Sequence, residues 1–163
     1  MVSERSPFRR PRRLSESSEA SPPLVAIGMN PSHARESESD RTVNRLIYAA
    51  QWHGYSGWLM LNLHPERSPK PSALSEYDPT LSAANCVAIE RAMLLCGATE
   101  VLGAWGNTPH RTLRRARADV ETLLARMAVR ILTLDGLTVR ENPRHPHPPG
   151  RPLPMLGPKK YLA

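Results

Sequence analysis

Four clusters of amide, imidazole and guanidinium side chains punctuate this sequence, each just after a short apolar run. Met29-Asn30-Pro31-Ser32 follows LVAIG, and Asn62 with His64-Pro65-Glu66-Arg67 closes GWLMLNL. Trp105-Gly106-Asn107 ends TEVLGAW, and Asn142-Pro143-Arg144-His145-Pro146-His147 comes after VRILTL and an Asp135-Gly136 turn. Amides hold water or read a hydrogen-bonding edge, imidazoles meet charge on a leaving group, and guanidiniums fork onto phosphate. Each residue also has an ordinary structural use. Asn30-Pro31 is a good turn, Asn62 can tie down a loop, and Trp105 is either a core aromatic or a stacking surface. Arg111, Arg114, Arg115 and Arg117 form a solvated helix face first and a phosphate-binding face second. Cys86 and Cys96 read as core residues. What distinguishes the four clusters is their shared position.

The elements that carry them alternate. LVAIG (24–28) is short and flanked by Pro-Pro and Asn-Pro, which favours a buried strand. Val43, Leu46, Ile47 and Ala50 repeat at helical spacing over Arg41–His53, capped by Asp40 or Ser39 and stopped by Gly54. A second strand spans Gly57–Leu63. A Pro-punctuated loop fills 64–81, long enough to expect a functional role. Ser82–Cys96 forms a second helix, Thr99–Trp105 a third strand, and Thr108-Pro109 the start of a third helix striped by Leu113, Ala116, Val120, Leu123, Leu124 and Met127. Val129–Leu134 is the fourth strand. This alternation predicts an α/β three-layer sandwich on a four-stranded parallel sheet, whose strands all aim their carboxyl ends, and the four clusters, at one edge.

Composition narrows the chemistry. The chain has 163 residues, enough for one domain with its own core, and two cysteines, which suit a reducing cytoplasm better than a disulfide scaffold. No apolar run reaches membrane-spanning length, so no membrane partner is expected. The net charge of +7 sits mostly in the flanks. Residues 1–21 are expected as a disordered basic arm, 22–150 as a single α/β domain, and 151–163 as a basic, Pro-rich tail. The tail's charge, beginning beside Arg144, implies an anionic ligand such as a nucleotide or nucleic acid. No Gly-rich dinucleotide loop, P-loop, nucleophile elbow or zincin motif occurs. His145 and His147 lack a Cys or carboxylate at ligand spacing. Neither a metal nor an organic cofactor is implied.

The ordered blocks AIGMNPS, DRT, GYSGWLMLNLHPERSPKP, DP with a following Asn, VLGAWG and NPRHP closely resemble a bacterial and phage family known only as a domain of unknown function. Its usual blocks read LNPS, TADA, DDPT, GYGG, VVNLFALRATDP, AWG and GHPRHPLYL. The resemblance runs from about Leu24 to Pro149. Matched positions are Asn30, Pro31, Ser32, Asp40, Thr42, Asn62, Arg67, Asn85, Trp105, Gly106, Arg144, His145 and Pro146. Departures are His33-Ala34-Arg35 for Thr-Ala-Asp, His64 for the aromatic of NLF, Asn142 for the first His of the last block, and His147-Pro148-Pro149 for Leu-Tyr-Leu. If the lost acid were catalytic in relatives, this copy would be impaired.

The family's layout is similar to that of the uracil-DNA glycosylase superfamily. That likeness implies that Asn30 orients a water near the sugar and that His145 steadies a departing base. Asn62 would then read the base edge and Trp105 stack on it. Ser32, Asn107, Arg67 and Arg144 would complete the substrate-binding set, the two arginines on phosphate. A non-catalytic module that binds nucleotide or nucleic acid through the same edge is the alternative, with a nucleoside hydrolase or transferase as a third possibility.

Overall fold

The computed structural model describes residues 21–31, 36–68, 70–148 and 153–163. The expected basic arm falls almost wholly outside the described residues, as do Ser32, His33 and Arg35. The elements run β1 (Leu24–Gly28), α1 (Glu36–His53), β2 (Trp58–Asn62), a 3-10 turn (Pro71–Ala73), α2 (Pro79–Cys96), β3 (Glu100–Gly103), α3 (Arg111–Arg126), β4 (Arg130–Thr133) and β5 (Lys160–Tyr161). No helix among the described residues is long and apolar enough to cross a membrane.

The sheet order is β2-β1-β3-β4-β5. The first four strands pair in parallel, with Ile27 between Leu61 and Gly103. β5 then runs antiparallel along β4, pairing Leu132 with Tyr161 and Thr133 with Lys160. The expected four-stranded parallel sheet is therefore a five-stranded mixed one. The fifth strand escaped detection because two residues in a Pro-rich basic segment carry no period-two signal.

β1 is buried throughout, as a strand covered on both faces must be. Its alternation deals side chains to two cores. Val25 and Ile27 join Val101, Ile89, Met93, Val120 and Leu124, whereas Leu24 and Ala26 join Leu46, Ala50, Leu102, Leu132 and Met155. Thus α2 and α3 cover one face and α1, with the C-terminal segment, the other. The chain winds one way from β1 to β2 and the opposite way through β3 and β4, so right-handed crossovers require this division.

All three expected helix starts shift. α1 begins at Glu36, which places Ser39 and Asp40 inside the helix and not at its cap. α3 begins at Arg111, because His110, not Thr108, caps it, its Nδ1 accepting the Thr112 N–H at 3.2 Å. α2 starts three residues before Ser82, where the Asp78 carboxylate accepts the Thr80 N–H at 2.8 Å and Pro79 occupies the first helical position.

Opposite the candidate site, Glu100 binds the C-terminal segment to the sheet. Its carboxylate accepts from Tyr55 Oη (2.5 Å), Lys159 Nζ (2.5 Å) and Tyr161 Oη (2.7 Å). Burial alone would raise its pKa, but these donors hold it down at about 2.

Candidate functional site at the carboxyl edge of the sheet

The winding reverses between β1 and β3, and ligands of open α/β sheets bind at such a reversal, beyond the strands' carboxyl ends. The two strands stay paired to their last residues, Ala104 N–H donating to the Ile27 carbonyl at 2.9 Å. The loops that leave this seam, Met29–Pro31 and Ala104–Asn107, flank the candidate site.

On the β1–β2 side, Asn30 is half-buried. Its Nδ2 donates to the carbonyls of Pro31 (3.1 Å) and Glu66 (3.2 Å). Both neighbours are acceptors, so only the amide nitrogen can face them, and the orientation of the group is decided. Oδ1, with no partner among the described residues, is left facing away as an acceptor. Asn62 ends β2 beside Gly28. Asn85, reaching over from α2, donates to the carbonyls of Asn62 and Leu63, both at 3.0 Å. That clamp accounts for its place in the matched motif.

The Pro-rich loop beyond β2 is an organised arch. The Glu66 carboxylate accepts from the backbone N–H (3.2 Å) and Oγ (3.0 Å) of Ser75, and lies 3.4 Å from His64 Nε2. Burial works against its ionised form, but Ser75 and His64 outweigh it and hold the pKa below the ordinary range. His64 is buried with no partner on Nδ1 among the described residues, and Arg67 is exposed.

On the β3–β4 side, close approach decides the geometry. A Cβ on Gly103 would lie 2.6 Å from Pro143 Cγ, so the NPRHP loop presses directly on β3. Gly106 turns the chain at φ +63 and donates its N–H to the Pro143 carbonyl at 2.9 Å. This glycine needs its left-handed conformation. A Cβ there would lie 3.6 Å from the Cβ of His145, so the NPRHP loop packs against the turn that follows β3. His145 Nδ1 accepts the His147 N–H at 3.0 Å, which leaves the ring proton on Nε2. Burial lowers its pKa and so favours the neutral ring.

Trp105, expected as a core aromatic or a stacking surface, lies in the core. Its ring is 0 % exposed, packed in the α2/α3 core with Arg117 above it at 5.6 Å. The ring lies beneath the surface. Its apolar bulk is worth more in the core than at a rim.

Above it, a cleft of about 370 Å³ opens between α3 and the loop after β4, lined by Asn107, Arg114, Arg117, Glu121, Arg140 and Asn142 among others. Asn142 is 94 % buried by its 6 % exposure and is held on every side. Arg117 Nη1 donates to its Oδ1, and its Nδ2 donates to Asn107 Oδ1 at 3.0 Å. Thr138 Oγ1 also donates to Asn107 Oδ1, at 2.8 Å. Arg144 is exposed, with Nε donating to the Leu137 carbonyl at 3.2 Å.

A family model described as "Protein of unknown function (DUF1643)" matches residues 12–147. The chain belongs to that family. No curated protein and no solved structure matches it. The DUF1643 match takes in all four polar clusters, and it ends before β5 and the Met155 contact.

Within this DUF1643 chain the expected site residues form two groups and not one. Asn30, Asn62 and Arg67 belong to the β1–β2 loops; Asn107, Arg144 and His145 belong to the β3–β4 loops. Two strands intervene between β2 and β4, so Arg67 and Arg144 leave the sheet on strands roughly 14 Å apart. Ser32 lies outside the described residues. Sequence reasoning missed Asn142 as a site residue, seeing it only where the family has His. The signal was there in its Asn-Pro context, but its partners Arg117 and Asn107 lie 25 and 35 residues away.

Proposed function

We propose that this chain hydrolyses the N-glycosidic bond of a nucleobase, in DNA or in a nucleotide, at the β1–β3 seam. One observation carries the reading: two groups on loops beyond the carboxyl ends of the strands are pre-oriented with opposite roles. Asn30 Oδ1 is an acceptor whose direction is fixed by the two carbonyls on Nδ2. His145 is a neutral donor whose proton is placed on Nε2 by the His147 N–H. The former suits holding a water against C1′. The latter suits meeting negative charge on the departing base, where a fixed donor needs no reorganisation. The C1′–N bond breaks with its electron pair leaving on the base, and water oxygen bonds to C1′. The amide takes no proton, so the water proton passes to solvent and the base anion is reprotonated from solvent. Four parallel strands with GMNP after the first and NPRHP after the last accord with the likeness to the uracil-DNA glycosylase superfamily, a fold-level analogy.

The test is incubation with uracil-, hypoxanthine- and hydroxymethylpyrimidine-containing DNA and the corresponding nucleotides, following free base and abasic product. Turnover falling roughly 100-fold or more in Asn30→Ala and His145→Ala supports the reading. Absence of product from every substrate overturns it for those bases. A second reading, a non-catalytic nucleotide or nucleic-acid module, is favoured by the burial of Trp105, which removes the stacking contact expected of a base pocket. It predicts salt-sensitive binding without turnover, unaffected by Asn30→Ala.

A further inference from the structure

The cleft between α3 and the loop after β4 presents donors without matching acceptors. Arg117 is neutralised by Glu121, Nε to Oε1 at 2.7 Å. Arg114 and Arg140 have no carboxylate within 4.0 Å among the described residues. Arg114 spends one nitrogen on the Pro109 carbonyl at 2.5 Å, which leaves the rest of its fork unpaired. Arg140 has no side-chain partner at all among the described residues.

The amides extend the same polarity by a chain of forced orientations. A guanidinium only donates, so the atom of Asn142 facing Arg117 is its oxygen, and its nitrogen faces Asn107. Asn107 must therefore offer oxygen to Asn142, leaving its own Nδ2 a donor with no acceptor among the described residues. The sole carboxylate of the lining, Glu121, is already occupied. A cavity walled by two guanidiniums with no carboxylate partner among the described residues, and by an amide donor, suits an oxyanion and repels cations. Arg117, held by Glu121, Asn142 and the Trp105 ring, is pre-organised, which reduces the entropy lost on binding.

We propose that this cleft is a phosphate subsite, taking the phosphate attached to the nucleoside whose base lies at the seam. The placement rests on the hydrolase reading, because Gly106, whose added Cβ would lie 3.6 Å from His145 Cβ, directly precedes Asn107 of the cleft wall. The chemistry of the cleft stands without it.

Calorimetric titration at fixed low salt with inorganic phosphate, a deoxynucleoside 5′-monophosphate, the matching nucleoside and a short single-stranded oligonucleotide tests this. Inorganic phosphate should bind, and the monophosphate or the oligonucleotide should bind about tenfold or more tighter than the nucleoside. Which of the two binds more tightly distinguishes a monoester from a diester ligand. Arg114→Gln and Arg140→Gln should each weaken phosphate about tenfold and leave the nucleoside within twofold, whereas Arg140→Lys should lose less. Asn107→Asp, which places an anion on the wall, should cost more than Asn107→Ala. Circular dichroism and melting temperature verify that each variant is folded. Failure of every phosphate-bearing probe to bind, or binding unchanged in the double Arg variant, overturns the proposal. Phosphate binding that depends on the arginines without base release keeps the subsite and removes the hydrolase. Base release untouched by the double variant keeps the hydrolase and removes the subsite.

Discussion

Replacing Gly103 with alanine tests whether the NPRHP loop is held by contact with β3. The added methyl would meet Pro143 Cγ at 2.6 Å, Pro143 Cβ at 2.8 Å and Ile131 Cγ2 at 3.3 Å. Carbon atoms in ordinary contact stand about 3.5 Å apart, so the ring must retreat by roughly 0.9 Å. A prolyl ring cannot rotate away as the end of a flexible side chain would. The loop must move as a body, and its ties resist: Gly106 N–H to the Pro143 carbonyl at 2.9 Å, the Leu137–Pro143 bridge, and the Asn142 network. Overpacking of this kind costs about 1–3 kcal/mol. For a domain of this size that lowers the melting temperature by about 2–4 °C per kcal/mol, without altering the denaturant slope. Because the retreat carries His145 with it, the imidazole resonances should shift and any glycosidic activity should fall more than stability does. Gly57→Ala is the control, since a Cβ there meets nothing within 4 Å. It should be neutral or slightly stabilising. A Gly103→Ala protein as stable as the Gly57→Ala control, with unchanged His145 resonances, would refute the close-contact argument.

Two pH-dependent predictions follow from the charged and neutral groups. Glu100 has its carboxylate pKa depressed to about 2 from an ordinary 4.5, so the stability it contributes is complete above pH 4.5 and lost as pH falls towards 2. Glu100→Gln should cost about 1–2 kcal/mol near neutral pH, after screening of its partly exposed partners, and flatten the acid limb of the denaturation profile; an unchanged acid limb contradicts the assignment. His145, whose pKa is lowered by burial, favours the folded state fully above the ordinary value of 6.5 and withdraws that contribution as pH falls below it. An NMR titration should place its midpoint below 6.5, and a midpoint at or above that value would remove the neutral donor on which the proposed chemistry rests.

Much of the architecture is readable from the chain because the cues are local. LVAIG matches β1 residue for residue, Gly54 and Gly97 end α1 and α2 with positive φ, and the stripe from Leu113 to Leu124 is the buried face of α3. The polar clusters do lie after the four parallel strands. What misleads is competition among local signals: Thr108-Pro109 resembles a helix start, yet the His110 ring supplies the cap. A two-residue strand such as β5 has no periodicity to read, and its attachment depends on Glu100, some 60 residues earlier.

The sequence by itself determined the alternating α/β order, the edge at which polar chemistry gathers and the family resemblance, because hydrophobic period, caps and motif order are written in neighbouring residues. Only the tertiary structure decided which of those polar residues meet. It buried Trp105 under Arg117, set the proton of His145 and the amide of Asn30, and joined Arg117, Asn142 and Asn107 into one oriented network. Those outcomes depend on how strands 70 or more residues apart in the chain lie side by side, and on volumes as small as the missing Cβ of Gly103. A linear pattern holds neither the distance nor the direction of such contacts.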